Sequence, residues 1–272
     1  MLSNTLTRTL SGSVYILIII GALLWHPAIL GVVSLLINIV ALREMDRIGN
    51  KMGLNGSPSW IIVNSVFLAF ALIIIDLGLL SNTWLVLMLI LPVWYFVAEL
   101  YGRRENPVLH VAFINFSTFF VSLPLVLLNL IQQHSRQQEV PFALAMFIMI
   151  WTNDTFAYLS GMAVGKHKMF ERISPKKTWE GFAGGLIMVF VAAFIFHYFF
   201  PSFGLVQWFL FGLLTALSAV MGDFLESLLK RTAGVKDSGN IMPGHGGLLD
   251  RIDSLLLAGP VIFLYIVLIQ NL

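Results

Sequence analysis

The sequence predicts an all-α integral membrane protein: a polytopic bundle of about nine transmembrane helices, with its N-terminus in the cytoplasm and its polar centre at the cytoplasmic face. Three observations carry that expectation. Hydrophobic residues make up 58% of the 272 and charged residues only 11%. Several apolar runs reach the roughly 18 residues that cross a ~30 Å hydrocarbon core as a helix. Most of the charges fall between those runs rather than inside them. The runs are continuous rather than alternating, which favours helices over a barrel. With no cysteine, a disulfide framework, a thiolate metal site and a thiol nucleophile are all excluded. A net charge of +2, with the basic residues confined to loops, speaks against a nucleic-acid partner.

The expected spans are approximately 12–25, 28–43, 58–80, 83–101, 107–131, 141–163, 180–200, 205–229 and 248–270. The first has Arg8 before it and could pass for a secretory signal. Trp25-His26-Pro27 stands where a small-residue cleavage site would be, so it reads as a retained span. With the N-terminus inside, Arg8, Arg43, Arg47, Lys51, Arg103, Arg104, Lys166, Lys168, Arg172, Lys176, Lys177, Lys230, Arg231, Lys236 and Arg251 are all cytoplasmic. Only Arg136 falls outside, an asymmetry that a wrong span count would scramble. The chain divides into an N-terminal region, 1–140, of about five spans and a C-terminal region, 141–272, of about four spans with two basic cytoplasmic loops. Trp25, Trp60, Trp84 and Trp208 suit the interfacial aromatic belt. Glu99, Arg103, Arg104 and Glu105 read as a solvated helix end, and Asp76 as interfacial. His26, His110, His134 and His197 are scattered without metal-ligand spacing.

The chemistry concentrates where the last two spans meet. Span eight ends AVMGDFLESLLKR, so Asp223 and Glu226 share a helix face. Span nine begins GGLLDRIDSLLLAG, and Asp250 and Asp253 repeat that spacing. Four carboxylates in partly dehydrated surroundings repel one another, so cations must sit among them. A divalent ion, Mg²⁺ above all, held by oxygen ligands and sharing its shell with phosphates, would serve. Pairing with Lys230, Arg231 and Arg251 would serve too, and spacing alone does not separate the two. Charges at membrane depth are functional more often than not, which favours the metal. The connecting segment supplies Lys230, Arg231 and Lys236, then Gly244, His245, Gly246 and Gly247 just ahead of a helix N-terminus. Cations, close-approaching backbone amides and a helix end describe a polyphosphate cradle.

A second basic loop runs GKHKMFERISPKKTWEGFAGG, residues 165–185. Ser174-Pro175 reads as a turn, Lys176 and Lys177 project cations, and Thr178-Trp179-Glu180 opens span seven. Glu180 is expected to pair with a lysine, and Gly184-Gly185 to allow close helix packing. Asn153, Asp154 and Thr155 are costly within span six unless they face a polar interior. There Asp154 could join the metal site, hold a lysine or belong to a structural network.

SLLKRTAGVKDSGNIMPGHGGLLDRID, residues 227–253, closely resembles the signature of the phosphatidate cytidylyltransferases, or CDP-diacylglycerol synthases, and SPKKTWEG, residues 174–181, is similar to their second characteristic block. Met242 departs conservatively from the family's usual Leu, Ile or Phe. The motif resemblance covers about residues 150–254; the first 140 resemble the family only in hydropathy. It implies a multi-span homodimer that makes CDP-diacylglycerol and pyrophosphate from CTP and phosphatidate, with Mg²⁺ and room for a second cation. The family's metal-binding aspartates match Asp223 and Asp250, with Asp253 and Glu226 as further candidates. Its phosphate-handling basic positions match Lys176, Lys177, Lys230, Arg231 and Lys236. The expected catalytic set is therefore Asp223, Asp250, Lys230, Arg231 and Lys236. The expected substrate-binding set is Asp154, Ser174, Lys176, Lys177, Thr178, Asp237, Gly244, His245, Gly246, Gly247 and Arg251. Rival expectations are a CTP-dependent enzyme acting on another lipid phosphate or alcohol, such as an isoprenoid, and an ion-coupled transporter of an anionic solute using Asp154. The compact chain fits a bacterial cytoplasmic membrane.

Overall fold

The structure, a computed structural model, describes residues 4–54, 59–76, 90–102, 106–242 and 246–270. Among them, helices occupy every stretch expected to span: α1 (Asn4–Leu24), α2 (Pro27–Lys51), α3 (Ser59–Asp76), α4 (Ile90–Leu100), α5 (Pro107–Gln138), α6 (Phe142–Val164), α7 (Trp179–Phe199), α8 (Leu205–Thr232) and α9 (Leu249–Gln270). Six of these, α2 and α5 to α9, are long and apolar enough to cross a membrane. The class is therefore as expected, whereas the count of nine is not established. Helices α1 and α3 carry shorter apolar stretches, Leu10–Leu24 and Ser59–Ile74. Most of the first half of the expected fourth span lies outside the described residues, as do Trp84, Arg103, Arg104 and Glu105.

The chain forms two compact units: residues 1–129 with 232–251, and residues 130–231 with 252–272. The first of them brings the glycine-rich segment together with the N-terminal helices.

In the first unit α2 packs against α1 and α3, and α5 carries a π-helical turn at Thr118–Ser122. Pro124 explains that turn. It has no N–H to give to the Phe120 carbonyl and its ring would press on it, so the helix widens and Leu123 donates instead to Thr118 O. The widened turn faces a buried polar cluster. Ser122 Oγ lies 2.6 Å from the side-chain oxygens of both Asn38 and Asn64. Asn64 donates to Thr118 Oγ1 at 2.7 Å, and Asn129 to Ser34 Oγ at 2.9 Å. Such bonds tie helices together where apolar packing alone has no aqueous competitor to drive it. His110 is buried and sits 3.3 Å from Glu99, which is not the solvated helix-end residue it resembled. Trp60 also departs from the belt: it is buried, and its indole donates to Asp46 at 3.2 Å.

In the second unit α6 and α7 run against each other through small residues. A Cβ on Gly181 would come 2.7 Å from the Ala157 carbonyl, and one on Gly185 would come 2.8 Å from that of Asn153. The expected close packing at Gly184-Gly185 is present, with Gly184 against Ser160. Between the two helices lies an antiparallel ribbon, β1 (Lys168–Phe170) and β2 (Ser174–Thr178), pairing Lys168 with Thr178 and Phe170 with Ser174. Ser174-Pro175 therefore begins a strand rather than a turn; Pro175 is tolerated because a two-stranded ribbon is all edge. At the other end of this unit Phe142, Phe203, Trp208, Phe211 and Tyr265 form one aromatic cluster. Trp208 is fully buried there, with its indole on the Phe200 carbonyl at 3.3 Å, so it is a core residue rather than part of an interfacial belt.

The Asn64 cluster yields a stability prediction. Asn64→Leu removes its bonds to Ser122 and Thr118 and should lower stability by about 1–2 kcal/mol, read as a lower melting temperature in detergent. An unchanged melting temperature would show that the cluster contributes nothing.

Candidate functional site

In the second unit, the C-terminal end of α8 places Asp223 and Glu226 one turn apart, and the first turns of α9 bring up Asp253. A carboxylate oxygen of each lies within 4.8 Å of the others. The approach depends on Gly222: a Cβ there would run into the Asp253 carbonyl and come 3.4 Å from Ser254 Cα. Glu226 is fully buried, and a lone charge there would cost several kcal/mol. Lys230, one turn on, meets it at 2.5 Å. Lys177, from β2, forms an ion pair with Asp223 and lies 4.9 Å over the Phe224 ring. Ser227 donates to Asp223 at 3.2 Å. Asp253 stands within electrostatic reach of Asp223, Asp154 and Lys177. Three hard oxygen donors this close fit a cation of the Mg²⁺ type, and the two lysines hold part of that charge among the protein's own groups.

The ribbon is fixed to α7 by two devices. Thr178 caps the helix, its Oγ1 accepting from Gly181 N at 3.1 Å. Glu180 does not pair with a lysine side chain as expected. Its carboxylate accepts from the backbone amides of Lys166 (3.0 Å) and His167 (3.1 Å) and meets His167 Nδ1 at 2.5 Å. The reason is local: the carboxylate sits at the first turn of α7, where amides returning from the end of α6 converge on it. Lys177 is thereby aimed at Asp223, while Lys176 on the same strand is exposed and Ser174 half-buried.

In the first unit the glycine-rich segment folds onto two other carboxylates. Asp250 Oδ2 accepts from Ser238 N (3.0 Å), Ser238 Oγ (2.9 Å) and Gly247 N (2.8 Å). Glu44 of α2, fully buried, accepts from Leu248 N (3.0 Å), Leu249 N (2.8 Å) and Ser238 Oγ (2.9 Å). Amides expected to face a ligand are thus turned onto the chain's own carboxylates. Gly246 takes a positive φ of 82°, and its carbonyl accepts from Met242 N at 3.0 Å. Lys236, Asp237 and Arg251 are exposed. The Arg251 carbonyl accepts from Tyr15 at 3.1 Å. Gly244 and His245 lie outside the described residues.

Of the expected metal-ligating residues, Asp223, Glu226 and Asp253 gather in the second unit, and Asp250 is held in the first. Two participants escaped the sequence reading. Glu44 lies just past the expected end of the second span at 43, yet α2 continues to Lys51. Its buried positions Ala41, Glu44, Met45 and Ile48 keep helical spacing, which was the available signal. His167 gave no signal, since its partner is thirteen residues away across a ribbon.

The family model described as the cytidylyltransferase family matches residues 6–269. A phosphatidate cytidylyltransferase of Staphylococcus haemolyticus is 35% identical over 97% of this chain and 98% of that protein. One of Staphylococcus aureus is 32% identical over 97% and 99%. The namesake of Haemophilus influenzae is 40% identical over 57% of this chain and 56% of that protein. The likeness therefore includes the first 140 residues, beyond the hydropathy seen in the sequence.

The Glu180 clasp predicts that Glu180→Gln frees the ribbon. Limited proteolysis between Lys166 and Lys177 should become several-fold faster with the helices still folded. Unchanged cleavage would show that Thr178 and the strand pairing hold the ribbon without it.

Proposed function

The chain belongs to the cytidylyltransferase family, and from that premise we propose that it transfers the cytidylyl group of CTP to phosphatidate, giving CDP-diacylglycerol and pyrophosphate. The observation that carries this reading is the cluster of Asp223, Glu226 and Asp253 with Lys177 on Asp223: acidic oxygens for a cation beside a lysine for a phosphate.

A phosphate oxygen of phosphatidate attacks the α-phosphorus of CTP. The bond from that phosphorus to the bridging oxygen breaks, and pyrophosphate leaves. The attacking phosphate has a second pKa near ~6 and is already largely dianionic at neutral pH, so no general base is required. The obstacle is the approach of two polyanions. Lys176, Lys177, Lys230, Arg231 and Lys236 screen and align them, and Ser174, Thr178, Asp154, Asp237, Arg251, Gly244, His245, Gly246 and Gly247 complete the substrate contacts. Asp223, Glu226 and Asp253 would hold Mg²⁺, and the family resemblance assigns Asp250 a metal-binding role as well. When bound, the ion neutralises the triphosphate and stabilises the leaving group. Lys177 and Lys230 then have a double use, balancing the carboxylates and binding phosphate oxygens.

The enzyme works as a homodimer in the cytoplasmic membrane of a bacterium, with its N-terminus and site on the inner face. The asymmetry of the basic residues supports that orientation, and the bacterial relatives support the host. Acyl chains stay in the bilayer while the headgroup meets the soluble nucleotide.

The test is detergent-purified protein with phosphatidate, labelled CTP and Mg²⁺. Label should enter the lipid phase as CDP-diacylglycerol, and Asp223→Asn or Asp250→Asn should reduce it by about a hundredfold or more. A folded wild type that labels an isoprenoid phosphate and not phosphatidate would overturn the substrate assignment.

A further inference from the structure

We propose that Glu44 is a positioning residue for Asp250: its carboxylate, through Ser238 and the first amides of α9, sets where Asp250 is presented. The inference rests on the functional reading above, in which Asp250 serves the reaction. Glu44 lies outside the motifs that resemble the family, on a helix of the first 140 residues, which resemble the family in sequence only by hydropathy.

Glu44 is fully buried, and a buried carboxylate is tolerated only when donors surround it. Among the described residues, its three donors come from one short segment some two hundred positions away: Ser238 Oγ, Leu248 N and Leu249 N. Two of them are amides at the start of α9, which have no partner within a helix and favour a negative charge. The third, Ser238 Oγ, lies 2.9 Å from Glu44 and 2.9 Å from Asp250, with one proton for two acceptors. The serine is therefore a strut between the two carboxylates, and its own amide adds a second bond to Asp250.

Packing makes the arrangement exclusive. A Cβ on Gly239 would stand 2.9 Å from the Glu44 carboxyl carbon, and one on Gly247 would stand 2.5 Å from Glu44 Oε2 and 2.7 Å from Gly239 N. The two glycines thus make room for Glu44. A plain structural cap would need only the two amides; the strut to Asp250 is what ties Glu44 to chemistry.

The experiment is a double-mutant cycle in the CTP–phosphatidate assay, with melting temperature and elution profile recorded for each protein. Glu44→Gln keeps the size of the side chain but puts an NH₂ against donors. It should lower kcat/KM for CTP by about 10- to 100-fold, the effect of losing hydrogen bonds to a charged group. The loss should fall on kcat and on the Mg²⁺ needed for half-activation, leaving KM for phosphatidate within about threefold. Ser238→Ala removes only the strut and should show the same pattern at smaller size. The double variant should be little worse than Glu44→Gln, because both act on one network. Should Glu44→Gln fail to fold, Ser238→Ala alone decides. Full activity in a folded Glu44→Gln, a neutral Ser238→Ala, or strictly additive losses would each overturn the proposal while the functional reading stood. A folded wild type without CDP-diacylglycerol synthesis would instead sink that reading, and this proposal with it.

Discussion

Everything distinctive in this molecule follows from one constraint: carboxylates placed at helix ends in a largely apolar chain must be compensated within a few ångströms. Bare, such a group would cost several kcal/mol, more than most single contacts return. The two units meet the constraint by different means. In one, Glu44 and Asp250 are met by backbone amides and a serine hydroxyl. In the other, Asp223 and Glu226 are met by Lys177 and Lys230. Amide compensation fixes a backbone in place, whereas lysine compensation leaves mobile charges that can turn to a phosphate.

The apolar scaffold serves this arrangement rather than only anchoring it. Gly222 lets the end of α8 come against the Asp253 backbone, and the glycines at 181, 184 and 185 bring α6 and α7 together. The ribbon between those helices then hangs from Thr178 and Glu180 at a defined place, which is how an exposed loop can deliver Lys177 to Asp223. The Asn38, Asn64 and Ser122 cluster supplies comparable cohesion in the first unit, beside the widened turn that Pro124 requires.

Much of this was legible in the sequence, for identifiable reasons. Apolar runs report helices directly, because a backbone in lipid has few other solutions. The paired spacing of Asp223 with Glu226 and the basic loops are local patterns, and local patterns survive the step to three dimensions. What was hidden was long-range. Glu44 meets its partners about two hundred positions away, and its helix was cut short at Arg43 because a charged run resembles a loop. The ribbon was missed because Ser174-Pro175 reads as a turn when its strand partner is unknown. Trp208 and Trp60 were misplaced because an aromatic residue near a span end looks interfacial until the cluster around Trp208 or the carboxylate of Asp46 is seen. Glu99 was read as solvated for the same reason, its partner His110 being on the next helix.

The central claim is that the gathered carboxylates exist to hold a divalent cation for phosphate chemistry, rather than only to pair with lysines. The most direct measurement is binding of Mn²⁺, as a paramagnetic stand-in for Mg²⁺, to the purified protein without any substrate, followed by the disappearance of the free-ion signal. Saturable binding that competes with Mg²⁺ and is weakened in Asp223→Asn and Asp253→Asn is the expected result. Binding that is absent in the folded wild type even with CTP present, or that is indifferent to both substitutions, would contradict it.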